Sequence, residues 1–192
     1  MRPTVATSAA MALVLAGLAV SEETTPAPSE FEHFVPATIS PQAQEFMRAL
    51  PDPSSYPSTP VRGDLEGWRK AQAAQEQRAE PAMAAIRKEY QPHISHRAVG
   101  GVPVLDIRPR DYRADARIIV FVHGGGYTMS SAASSLGASV PLAADTGIRV
   151  VSVDYTLAPF ASYSKMLDQV ITVIEAIQTD GHKPENIAMV GV

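Results

Sequence analysis

The sequence predicts an α/β fold: an antiparallel hairpin, then parallel strands with helices between them. Three observations carry this. Three short apolar runs, residues 118–122, 148–153 and 187–190, are nearly continuous rather than alternating, as in strands buried on both faces. Helical stretches separate them, residues 132–144 and 164–178; in the second, Met166, Leu167, Val170, Ile171, Ile174 and Ile177 share one face. Upstream, residues 94–99 and 102–108 flank Gly100-Gly101, a two-residue hairpin signal. Two successive strand–helix–strand units then imply a parallel sheet covered on both faces.

The elements before this region follow in order. Residues 1–21 form a signal peptide. Arg2 supplies the positive start, residues 9–20 an apolar stretch too short to span a bilayer, and Gly17-Leu18-Ala19 a small-residue cleavage site. The expected location is therefore secreted or periplasmic, with no stable membrane span once the signal is cleaved. Residues 22–60 are rich in Pro, Ser and Thr and read as a linker. One short helix fits there: Ser40 as N-cap, Pro41 at the first position, and Phe46, Met47 and Leu50 on one face. Residues 61–91 form a helical segment with Asp64 as its cap. Pro81 is expected to kink or split it, and its sparse apolar stripe is expected to leave the first half one-sided and largely solvated. Gly137 and Pro141 are likewise expected to interrupt the helix over 132–144.

Composition narrows the function classes. A net charge of -4 over 192 residues, with no Lys/Arg run, argues against a nucleic-acid partner. The absence of Cys excludes thiol catalysis and Cys-based metal sites, and no metal-ligand spacing such as His-Glu-x-x-His occurs.

His123-Gly124-Gly125-Gly126-Tyr127 follows directly on the strand 118–122. Three glycines at a strand end let backbone N–H groups approach a ligand with no Cβ in the way. Ester hydrolysis needs such donors, because it passes through a tetrahedral oxyanion. A phosphate cradle is the weaker alternative, since neither the Gly-Lys-Ser/Thr ending nor the G-x-G-x-x-G spacing is present. A purely structural turn remains open. Asp154-Tyr155-Thr156-Leu157-Ala158-Pro159 follows the next strand; alone, it reads as a structural turn before a catalytic one. Ser130, Ser131, Ser134 and Ser135 suit a helix start. His33, His93, His96 and His182 fall in linker, hairpin and turn positions where no partner for a general base can be named.

The glycine motif, the Asp154–Pro159 segment and Asn186-Ile187-Ala188-Met189-Val190-Gly191, in this order, resemble the hormone-sensitive-lipase-like branch of the α/β-hydrolase superfamily, the bacterial family IV esterases. The resemblance covers about residues 94–192. It implies a partial α/β-hydrolase fold for 92–192, with 61–91 and the helix near 40–50 as a helical cap. It makes Gly125 and Gly126 the oxyanion-hole donors, with His123 and Gly124 shaping the loop. Tyr127 would border the substrate pocket, and Asp154 and Tyr155 would support the loop. The family has Arg where Thr156 stands and Glu where Phe160 stands. Its pattern continues from the last strand as Gly-x-Ser-x-Gly, of which Gly191-Val192 supplies two positions; the acid and base follow later. The expectation is a carboxylic ester hydrolase in full-length form, acting through an acyl-serine on a small-molecule ester with no cofactor and no metal. This chain would be truncated before the nucleophile, with nucleophile, acid and base all outside it. The alternative is an inactive remnant or a non-enzymatic binding module.

Overall fold

A computed structural model describes residues 34–52 and 55–192. The expected signal peptide, His33 and the first part of the linker lie outside the described residues. The chain divides into two units between Thr59 and Pro60. In the first, helix α1 (Pro41–Arg48) starts as its sequence predicts: the Ser40 side chain accepts from the Ala43 amide and Pro41 opens the helix.

The second unit holds α2 (Leu65–Tyr90), β1 (His93–Val99), β2 (Val102–Arg108), β3 (Ile118–Val122), α3 (Leu136–Thr146), β4 (Arg149–Val153), α4 (Tyr163–Thr179) and β5 (Ile187–Gly191). The five strands form one mixed sheet in the order β1-β2-β4-β3-β5. β1 and β2 pair antiparallel, with Val99 opposite Val102 and both turn glycines at positive φ, 58° and 79°. β2 pairs antiparallel with β4, and β3 pairs parallel with both β4 and β5. β5 thus lies on the far side of β3, so the second crossover passes β3 rather than adding beside β4.

Alternation along the strands divides the core into two layers. Ile119, Phe121, Leu105, Ile107 and Val150 pack under Met83 and Ile86 of α2 and Leu136, Val140 and Ala143 of α3. Ile118, Val120, Val104, Val151 and Val153 pack under Met166, Val173 and Ile177 of α4. The helices after β3 and β4 therefore leave to opposite faces, and the connections part at the carboxyl ends of these two strands. That is where open sheets of this kind place a ligand crevice.

Two expectations about helices are corrected. Pro81 does not split α2, which runs unbroken for 26 residues. Pro81 has no N–H for the Gln77 carbonyl, a cost of about 3 kcal/mol. Burial of Met83 and Ile86, two and five residues further on, offsets it. Nor do Gly137 and Pro141 interrupt α3, which begins at Leu136 rather than at 132 and carries both. Leu136, Val140 and Ala143 lie one turn apart and almost fully buried, so packing overrides local propensity. The start is late because Ala132 is held in the preceding turn, its amide bonded 3.0 Å from Asp154 Oδ1.

Candidate active site

The glycine loop leaves β3 at the carboxyl end of the sheet. His123, its first residue, is buried and its ring stacks on Tyr155, centroids 4.2 Å apart with 6° between planes. The Tyr155 hydroxyl donates to the His123 carbonyl at 2.7 Å. Burial pushes the Tyr155 hydroxyl's pKa up, aided by Tyr127, so it stays protonated as that donor. His123 Nδ1 lies 2.8 Å from the Gly124 carbonyl, which can only accept, so the proton sits on Nδ1. Burial drives the His123 pKa down; the bond to Gly124 and the charges of Asp154 and Glu76 only partly oppose it. The imidazole is neutral, and its Nε2 is buried without a partner among the described residues.

The glycines are sterically required where the chain turns. Gly125 has φ 112°, and a Cβ there would lie 2.1 Å from the Met129 carbonyl oxygen. Its own carbonyl accepts from the amides of Thr128 (3.2 Å) and Met129 (3.0 Å). A Cβ on Gly124 would lie 2.6 Å from the Val192 carbonyl oxygen, so the end of β5 passes directly against the loop. Gly126 has φ 60° and faces open space. Both Gly125 and Gly126 are exposed, and their N–H groups have no hydrogen-bond partner among the described residues.

Tyr127 continues at positive φ, its carbonyl accepting from the Ala158 amide at 2.9 Å. Its ring meets Tyr163 edge-on, 5.9 Å between centroids. Tyr127, Tyr155, Tyr163, Val122, Met166 and Met189 line an apolar cavity of about 250 Å³. The structure thus brings His123 to Tyr127 together with Asp154 and Tyr155. It leaves His93 and His96 on β1 and His182 in the turn before β5, bonded to the Ala116 carbonyl. Among the described residues no group of three or more His, Asp or Glu could hold a metal ion.

Four supporting residues escaped sequence reasoning. Gln72 Nε2 donates to the Thr128 carbonyl (2.8 Å) and the Ala158 carbonyl (3.1 Å), tying α2 to both loops. One turn on, Glu76 accepts from Ser131 Oγ at 2.6 Å. At the two positions that depart from the family pattern, other contacts are made. Thr156 exchanges hydrogen bonds with Gln169 (2.9 and 3.2 Å), and the Arg69 guanidinium lies over the Phe160 ring at 4.9 Å. The first half of α2 is one-sided, as its sparse apolar stripe predicts: Trp68 is buried and Gln72 and Glu76 make these contacts, while Glu66, Lys70, Ala73 and Gln77 are exposed. The Gln72–Glu76 spacing is visible in the sequence, but their partners lie more than 50 residues away.

Mixed sheet, flanking helices and glycine loop together make a partial α/β-hydrolase fold. Residues 119–192 match the model of a family described as alpha/beta hydrolase fold. The chain is 32% identical over 94 residues to the Mycobacterium tuberculosis protein LipR, named as an acetyl-hydrolase; this spans 49% of the chain and 30% of LipR. It is 32% identical over 69 residues to the hormone-sensitive lipase of Mus musculus, 35% of the chain and 9% of that protein. Its fold is that of the solved esterase E25, with a TM-score of 0.62 at 22% identity, covering 89% of the chain and 52% of E25. The chain thus spans about half the length of E25, and its matches span smaller parts of the two curated relatives.

Proposed function

We propose that this chain carries the oxyanion-binding half of a carboxylic ester hydrolase that works through an acyl-serine intermediate. The amides of Gly125 and Gly126 are the donors, and Tyr127 borders the pocket that receives the ester. One observation carries this: two exposed N–H groups, without a hydrogen-bond partner among the described residues, stand at the carboxyl end of β3 beside an apolar cavity. Donors fixed in this way need no reorganisation when the oxyanion forms, and each contributes about 3 kcal/mol to its stabilisation. His123, neutral and locked by Tyr155, holds the loop without placing a positive charge behind the amides.

The position of β5 supports the same assignment. The Val192 amide reaches the Val122 carbonyl at 3.4 Å, so the end of β5 meets the glycine loop. In the family's Gly-x-Ser-x-Gly pattern the serine comes next, which would set its hydroxyl beside the donors. The reading assigns the nucleophile, acid and base to sequence beyond Val192, and residues 61–91, with the helix near 40–50, to the cap. It also carries the secreted or periplasmic location expected from residues 1–21.

The test starts from the coding sequence downstream of the Val192 codon. The expected continuation is Ser-x-Gly, with a product that hydrolyses p-nitrophenyl acetate and is labelled at that serine by a fluorophosphonate. A stop codon directly after Val192, or a serine-containing product that neither labels nor turns over esters, would sink the proposal.

A further inference from the structure

The glycine loop occupies one end of the parallel strands. At the other end, on the face that carries α4, β1, β2 and β4 bring together three arginines and one carboxylate. Asp106 of β2 is only 1% exposed. Arg149, the first residue of β4, donates to both its oxygens, Nε to Oδ1 at 2.8 Å and an Nη to Oδ2 at 3.0 Å. That bidentate pair already satisfies the carboxylate. Yet Arg97 of β1 also reaches Oδ2 at 3.1 Å, and Arg108 of β2 at 3.5 Å. Three guanidiniums against one carboxylate leave the group two charges positive.

Two of the three guanidiniums, those of Arg97 and Arg108, line a cavity. Arg97 and Arg108 each give Asp106 a single N–H of the five a guanidinium carries. Arg108 Nε is buried and has no hydrogen-bond partner among the described residues, a donor that folding leaves unsatisfied. The register places Ser95 opposite Asp106 and His93 opposite Arg108. His93, Ser95, Arg97, Asp106 and Arg108 line an open cavity of about 660 Å³, and Asp106 is its one acidic lining residue. The Arg108 guanidinium carbon also lies over the Tyr112 ring, 5.5 Å from its centroid.

We propose that this cavity binds a phosphate group, gripped between the free N–H edges of Arg97 and Arg108. A planar guanidinium matches two phosphate oxygens with two parallel hydrogen bonds, which a point-charge ammonium does not. Two uncompensated positive charges match a phosphate dianion better than a single carboxylate. The site is separate from the ester site, at the opposite end of β4, and does not depend on the proposed hydrolysis.

Isothermal titration of the 192-residue chain with inorganic phosphate and, separately, with glycerol 3-phosphate tests this at about 0.15 M salt, where exposed charges beyond about 8 Å are screened. Saturable binding of either probe is the expected result. Tighter binding of glycerol 3-phosphate identifies a phosphomonoester as the ligand, and tighter binding of inorganic phosphate identifies the free ion. Ser95→Glu places a carboxylate in the cavity between the arginines and leaves the Asp106–Arg149 hydrogen bonds in place, and Arg97→Gln removes one grip. Each is expected to weaken binding about tenfold or more, as the loss of a charge-assisted pair does, with the melting temperature kept. No saturable binding of either probe, or binding unchanged in both variants, overturns the proposal.

Discussion

The two ends of β4 present hydrogen-bond donors in opposite ways. At its carboxyl end, beside the end of β3, the free donors are backbone amides, uncharged, fixed by three residues in a row at positive φ. At its amino end they are guanidinium groups, charged, assembled around one buried carboxylate. The first kind suits charge that appears only during a reaction, because the donors cost nothing while the site is empty. The second suits a ligand that arrives already charged, because permanent charge attracts it before contact. The comparison also shows where each end is vulnerable: the loop to any added Cβ, the cluster to loss of its one carboxylate.

The largest effect is expected at the cluster. Asp106→Ala leaves the guanidinium of Arg149, 18% exposed, without its counter-charge, and destabilises the fold by about 3–5 kcal/mol. Urea unfolding reads this directly. A loss within about 0.5 kcal/mol, the range of an ordinary surface change, would mean that the arginines relax into water and the cluster is not a fixed feature.

Next comes the loop. Gly125→Ala puts a Cβ 2.1 Å from the Met129 carbonyl oxygen at a φ of 112°, and an expected loss of about 2–3 kcal/mol follows. Gly126→Ala is the internal control: its φ of 60° carries a left-handed penalty of about 1 kcal/mol, but its Cβ meets open space. Equal losses in the two variants would show that the loop adapts, and would remove the geometric basis for preformed oxyanion donors.

The same contrast explains which parts could be read from the sequence. The glycine loop is contiguous, so five adjacent letters carry it, and Gly100-Gly101 sets the hairpin register for the same reason. Ser40 and Pro41 are equally local. The cluster is not: the hairpin brings Arg97 to Asp106 and Arg108, but Arg149 joins them only through the β2–β4 pairing. The place of β5 beside β3 is a choice between two edges that no local pattern records. Pro81 and Pro141 misled in the other direction. Proline opposes a helix interior locally, but Met83, Ile86, Val140 and Ala143 are held by tertiary burial that a residue-by-residue rule does not see.

A smaller effect is expected where the helix layer meets the loops. Gln72→Ala removes donors from the carbonyls of Thr128 and Ala158, both partly buried, and is expected to cost about 1–2 kcal/mol. The change should also speed hydrogen exchange at the Met129 amide, which closes the glycine turn onto Gly125. Unchanged exchange there would mean that Gln72 anchors α2 but does not hold the loop.

The gentlest probe is pH, and it separates the two ends without a substitution. Burial lowers the His123 pKa, so between the ordinary value near about 6.5 and the folded value the unfolded chain binds a proton that the folded chain refuses. Stability from His123 is therefore complete above about 6.5 and is lost as pH falls below it. Burial pushes Asp106 up, but hydrogen bonds from Arg149 and Arg97 and the charges of Arg149 and Arg108 outweigh it and hold the carboxyl below its ordinary value. Its contribution is complete above about 3.9 and is lost only as pH falls from there through the lowered folded value. Urea midpoints measured from neutral to strongly acid pH should fall in two steps, the loop's first. His123→Asn should flatten the upper step and leave the lower one. If it flattens neither, the neutral imidazole is not what couples the glycine loop to pH.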